Sequence, residues 1–156
     1  MQNEAGALTR VTSMFSSRGY NIESLSVAPT ENPEVSRLSM VTTGSDEVID
    51  QINKQLFKLV DVVRITDMTM NDHYERELLL MKVKLNEKAN VADIVSAAGA
   101  LVLDATPEHY TVQLTGSGMQ IDDFMQMLGA NSETLAVVRS GSMAIGRGTN
   151  VLSAEL

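Results

Sequence analysis

The order of strand and helix signals constrains this chain most, because one order runs through it almost twice. In the second half, Leu79, Met81, Val83 and Leu85 alternate with Lys82 and Lys84, as a half-buried strand does. Asn90 then stands as the cap of a helix carrying Val91, Ile94, Val95 and Ala98, which stops at Gly99. Residues 101–105 predict a strand broken by Pro107, and Tyr110, Val112 and Leu114 alternate again. The turn Gly116-Ser117-Gly118 opens a helix whose Ile121, Phe124, Met125 and Leu128 follow the i, i+3, i+4, i+7 stripe, ending at Gly129 before a strand over 135–139. The order is βαββαβ.

The first half gives αββαβ. Asn3 is a possible N-cap for a helix over 5–18 with Leu8, Val11 and Phe15 on one face, stopped at Gly19. A strand over 20–27 is closed by Pro29 and the Glu31-Asn32-Pro33 turn, and 35–43 returns as the other arm of an antiparallel hairpin. Ser45 caps the next helix, Asp46 and Glu47 suit its positive end, and Val48, Ile52 and Leu56 recur along it. A strand over 60–68 and a polar linker over 71–76 follow. Two ferredoxin-like units are therefore expected in an α+β architecture, residues 1–70 and 77–156. The second ends in a short mobile tail with Arg139-Ser140-Gly141 and Gly146-Arg147-Gly148. Each sheet is covered on one face by two helices, and an apolar face or edge left open invites dimerisation.

Composition removes several function classes. Twelve basic residues against twenty acidic ones leave a formal net charge of −8, which repels nucleic-acid backbones and anionic lipids. Aromatic residues make up 4% of the chain, too few for base-stacking platforms. Cysteine is absent, so thiolate chemistry is unavailable and a reducing cytoplasmic setting is expected. No apolar run approaches the roughly 18 to 20 residues of a membrane span.

Catalytic signals are weak. His73 and His109 lack the spacing of a metal pair, no Gly-x-Ser-x-Gly elbow is present, and Asp122-Asp123 suits a helix start better than an acid–base pair. Gly116-x-Gly118 lacks the third glycine and the distal acid of a dinucleotide site. The most informative stretch is Asn3-Glu4-Ala5-Gly6-Ala7-Leu8, where a glycine lets a ligand approach backbone amides that have no intrahelical partner. Such amides attract carboxylates. Asn21, after Gly19-Tyr20, adds a side chain able to donate and accept. Taken singly, Gly6 equally serves close packing and Asn21 a turn.

The motifs Asn-Glu-x-Gly-Ala-Leu at 3–8, Phe-Ser-x-Arg-Gly-Tyr-Asn-Ile-Glu-Ser-Leu at 15–25 and Val-Ala-Pro-Thr at 27–30 recur in one family. So do Lys-Leu-Val-Asp-Val at 58–62, Glu-Arg-Glu at 75–77, Tyr-Thr-Val-Gln-Leu at 110–114 and Arg-Ser-Gly at 139–141. On these residues the chain resembles the regulatory small subunit of acetohydroxyacid synthase (acetolactate synthase), whose N-terminal unit is an ACT domain. The resemblance implies a non-catalytic homodimer that binds valine between two ACT domains, activates a separate catalytic subunit and makes it sensitive to feedback inhibition. Thiamine diphosphate, magnesium and FAD would then belong to the catalytic subunit.

Carried over by position, Asn3, Gly6, Ala7 and Leu8 form the helix-start side of the valine site, and Asn21 and Ile22 the strand side, from the other protomer. Family members open with an apolar strand before the Asn-Glu motif, whereas Met1-Gln2 precede it here. An ACT unit without its opening strand is the expectation. The helix over 90–100 is also richer in alanine than its family counterpart. Competing readings are another amino-acid-binding ACT regulator, a small ferredoxin-like enzyme and an RNA-binding module.

Overall fold

The computed structural model describes residues 1–86 and 90–153. It is an α+β chain in which one compact unit comprises Met1–Tyr74 with Met143–Leu156, and a second comprises Glu75–Ser142. Packing thus groups the end of the chain with the first unit.

The second unit has the full βαββαβ order. Strand β3 (His73–Leu85) lies between β5 (His109–Gly116) and β6 (Ser132–Arg139), with β4 (Leu101–Ala105) beyond β5. Both β3 pairings are antiparallel. Leu79, Met81 and Val83 point to the covered face and are buried, because alternate strand positions share a face. They meet Val91 and Val95 of α3 (Val91–Ala98), Ile121, Phe124 and Leu128 of α4 (Gly118–Asn131), and Val112 and Leu114 of β5. Gly99 ends α3 with φ 70°, the left-handed geometry expected of it. Asn90 stands before α3, but its side chain makes no capping bond.

Ser117 caps α4 in a reciprocal box. Its hydroxyl accepts from Gln120 N at 3.2 Å, and Gln120 Oε1 accepts from Ser117 N at 2.9 Å. A Cβ on Gly116 would lie 2.8 Å from Gln120 Oε1, so that glycine serves the cap. The helix runs past Gly129 to Asn131. Asn131 Nδ2 donates to Met127 O at 2.9 Å and Ser132 Oγ to Leu128 O at 2.6 Å, and these bonds satisfy late carbonyls that a glycine stop would have exposed.

The first unit comprises α1 (Ala7–Ser17), β1 (Ile22–Pro29), β2 (Ser36–Thr42), α2 (Asp46–Phe57) and the short β7 (Met143–Gly146). β1 and β2 form the expected antiparallel hairpin, with Val27 opposite Leu38. Ser45 caps α2, accepting from Val48 N at 3.4 Å. The core gathers Val11, Met14, Phe15 and Ile52, with Tyr20, Leu38, Met40, Val48 and Leu56 against them. Ala7 and Met14 lie on the buried stripe of α1, and Leu8 is only half-buried.

Three further expectations are corrected. Residues 62–68 form no strand. In the second unit the opening strand separates the third from the fourth; in the first unit residues 1–3 bridge the corresponding segments. Ser36 N donates to Met1 O, Asn3 N to Glu34 O and Gln2 N to Asp61 O, each at 2.8 Å. Past Asp61 the would-be fourth strand meets no described neighbour with which to build a ladder. The linker is also shorter than expected, since β3 already begins at His73 and β7 pairs with it.

The third correction concerns the tail. Arg147 N donates to Asp72 O at 3.1 Å, and its guanidinium lies 4.6 Å over the Tyr74 ring. Arg139 is a clamp. It donates to both oxygens of Glu77 at 2.6 and 3.0 Å and to Asp122 at 2.7 Å, and these bonds to Glu77 and Asp122 raise its pKa further. Asp122 is thereby a structural partner, and the Asp122-Asp123 pair gains no support as chemistry.

Glu77 is 4% exposed, so removing its cation strands a charge. Arg139→Ala is expected to destabilise the chain by about 2–3 kcal/mol. Combining it with Glu77→Gln should recover part of that loss, as urea unfolding of both variants would measure.

Candidate ligand site at the start of the first helix

Gly6 is the N-cap of α1, with φ 88° and no side-chain cap. Asn3 does not fill that role, because its Nδ2 donates to Pro33 O at 2.8 Å, across the start of the unit. The first helical bond runs from Arg10 N to Gly6 O at 2.9 Å, so the Leu8 and Thr9 amides have no intrahelical acceptor. A glycine cap at the positive end of α1 leaves those amides approachable, which suits a carboxylate. Ala7 is 1% exposed, so its methyl faces the core.

Arg10 stands beside this helix start. Its Nε and Nη2 make a bidentate pair with Asp61, the second contact at 2.9 Å. Asp61 is 2% exposed, whereas the Arg10 side chain is 47% exposed. Hydrogen bonds from Arg10 hold the Asp61 carboxyl below its ordinary range, against the opposing effect of burial. The same contact raises the Arg10 pKa.

Asn21 and Ile22 lie at the other end of α1. Asn21 is exposed, with its carbonyl accepting from Thr42 Oγ1 at 2.5 Å, and Ile22 begins β1 and packs on the core. Eleven helical residues span about 16 Å, so one chain does not bring Asn21 and Ile22 to the residues around Gly6. An open groove of about 450 Å³ lies along α1 and α2, lined in part by Arg10, Ser13, Arg18, Gln55 and Lys58. None of the six expected residues lines it. Among the described residues no cluster of three or more His, Asp or Glu is placed to hold a metal ion, and no helix is long and apolar enough to cross a membrane.

Comparison with known proteins covers both halves of the chain. The family model described as an acetohydroxyacid synthase small-subunit-like ACT domain matches residues 1–64, and that described as the small subunit of acetolactate synthase matches 76–148. The chain belongs to the acetolactate synthase small-subunit family. The acetolactate synthase small subunit of Buchnera aphidicola is 41% identical over 95% of both chains. The isozyme 3 small subunit of Salmonella typhimurium is also 41% identical, over 97% of this chain and 94% of its own. A crystal structure of the Thermotoga maritima small subunit superposes with a TM-score of 0.83 at 32% identity, covering 96% of this chain and 94% of that one.

Within the family frame, the motif residues Asn3, Gly6, Ala7 and Leu8 are adjacent at one helix end. Arg10 and Asp61 are the neighbours that sequence reading missed. Both lie inside matched stretches, and Arg10 follows Gly6 by one helical turn, the only local signal it carried.

A depressed carboxyl pKa contributes stability that is present above the unfolded value near 4 and lost as pH falls through the folded value. The stability advantage of the unsubstituted chain over Asp61→Asn should therefore shrink on acidification below about pH 4. A difference in melting temperature that does not change between pH 3 and pH 7 would contradict the ion pair.

Proposed function

We propose that this chain is a non-catalytic regulatory subunit that binds valine, activates a separate acetolactate synthase catalytic subunit and transmits feedback inhibition to it. Support comes from family membership across both halves, and above all from the glycine-capped, cation-flanked start of α1. A free amino acid offers that site a carboxylate for the amides after Gly6 and a small apolar side chain for Leu8 and its surroundings. Asn3 and Asn21 offer oxygen and nitrogen atoms to its amino and carboxylate groups.

The separation of about 16 Å between the two ends of α1 favours a site shared by two copies of the chain, with Asn21 and Ile22 supplied by the second. Valine shifts the complex only by binding one state of it more tightly than another. On this reading thiamine diphosphate, magnesium and FAD are held by the catalytic subunit, and both subunits reside in the cytoplasm.

The chain alone is expected to form no acetolactate, and its addition to the catalytic subunit should raise turnover and introduce inhibition by valine. In Gly6→Asp, a β-carbon would lie 2.9 Å from Arg10 Nη1 on backbone at φ 88°. The new carboxylate would compete for the cation and repel the ligand, so the valine concentration for half-inhibition should rise about tenfold or more. Inhibition of the reconstituted complex that is unaltered by this substitution would sink the site assignment.

A further inference from the structure

Gly6 and Arg10 are matched to each other. The position a β-carbon would take on Gly6 is 2.9 Å from Arg10 Nη1, 3.6 Å from Cζ and 3.8 Å from Nη2, so the guanidinium occupies the space that glycine leaves. Asp61 sets its orientation. The carboxylate takes Nε and Nη2, and the Asp61 main chain is itself held by the bond from Gln2 N at 2.8 Å. A bidentate pair on a buried carboxylate fixes the plane of a guanidinium, which a single contact does not. The Nη1 edge lies outside that pair and faces Gly6. Glu4 is the other acid acting on Arg10, at longer range.

We infer that Arg10, positioned by Asp61, supplies the side-chain contact for the ligand's α-carboxylate beside Gly6, and so makes the site select free amino acids over their carboxamides. This rests on the amino-acid reading above and adds a residue that reading does not need. The chemistry is specific. Nη1 carries two N–H donors beside Gly6, and the amides after Gly6 have no intrahelical acceptor; a carboxylate oxygen, with its charge and two lone pairs, suits both. A carboxamide presents a neutral carbonyl and an NH₂ group that would meet donors with donors. Asp61 is a positioning residue, since it acts through Arg10.

The test is calorimetric titration of the full chain with valine and with valinamide at pH 6.5, where both α-amines are largely protonated. The unsubstituted chain should prefer valine by roughly a hundredfold, and Arg10→Gln should cut that preference about tenfold or more while valinamide binding changes little. Arg10→Lys should restore part of the preference, because the charge returns without the fork. Asp61→Asn should reduce it by less than Arg10→Gln, because the cation remains but loses its fixed plane.

A merely structural role for Arg10 would weaken both ligands equally, and that result overturns the inference, as does an unchanged ratio. Where Arg10→Gln does not fold, the Arg10→Lys ratio decides: a value equal to that of the unsubstituted chain counts against the assignment. Absence of valine binding by the unsubstituted chain would sink the amino-acid reading and this one together. Valine binding with a ratio indifferent to Arg10 would sink this one alone.

Discussion

A strand buried in the middle of a sheet must satisfy its peptide groups on both edges, and the second unit is organised around one that does. β3 bonds β5 along one side and β6 along the other, and its Leu79, Met81 and Val83 supply the floor on which α3 and α4 pack. The same strand carries Glu77, whose buried carboxylate is matched by Arg139 from β6. Apolar burial and charge pairing thus depend on one register. A slip of a single residue would turn the apolar set to the open face and separate the ion pair.

In the first unit residues 1–3 take the corresponding place. Residues 1–3 bridge Glu34–Ser36 on one side and Asp61 on the other, and β1 and β2 pair as a hairpin. Residues 62–68, after Asp61, form no strand although their composition favours one. Helices carry their own hydrogen bonds, and α1 and α2 form and pack regardless. The candidate site lies where these conditions meet. The start of α1 adjoins the bridged residues, and Asp61 holds both the main chain of Gln2 and the side chain of Arg10.

Both charge clusters follow one economy of design. A nearly buried carboxylate, Asp61 or Glu77, takes two contacts from one arginine, and the remaining edge of the guanidinium is turned elsewhere. In Arg139 that edge meets Asp122 at 2.7 Å, which completes a structural clamp. In Arg10 it faces a glycine at a helix start.

Local order made much of this chain legible from residues alone. The alternation in β3, the stripe on α4, the cap at Ser45 and the stop at Gly99 are short-range matters of periodicity and capping, and they stand where they were expected. The motif around Gly6 was legible as a helix start, although the cap is Gly6 itself rather than Asn3. The loss of the strand over 60–68, the return of β7 to β3 and the clamp role of Arg139 were not legible. Each depends on which segments meet across the sheet. The partners of Arg10 and Arg139 lie 51 and 62 positions away, and no local pattern ties a cation to a carboxylate at that range. The amino-acid order by itself determined the elements and the family; only the closed tertiary structure decided which buried acids orient the two arginines, because that choice exists only once sheet register and helix packing bring them within hydrogen-bonding reach.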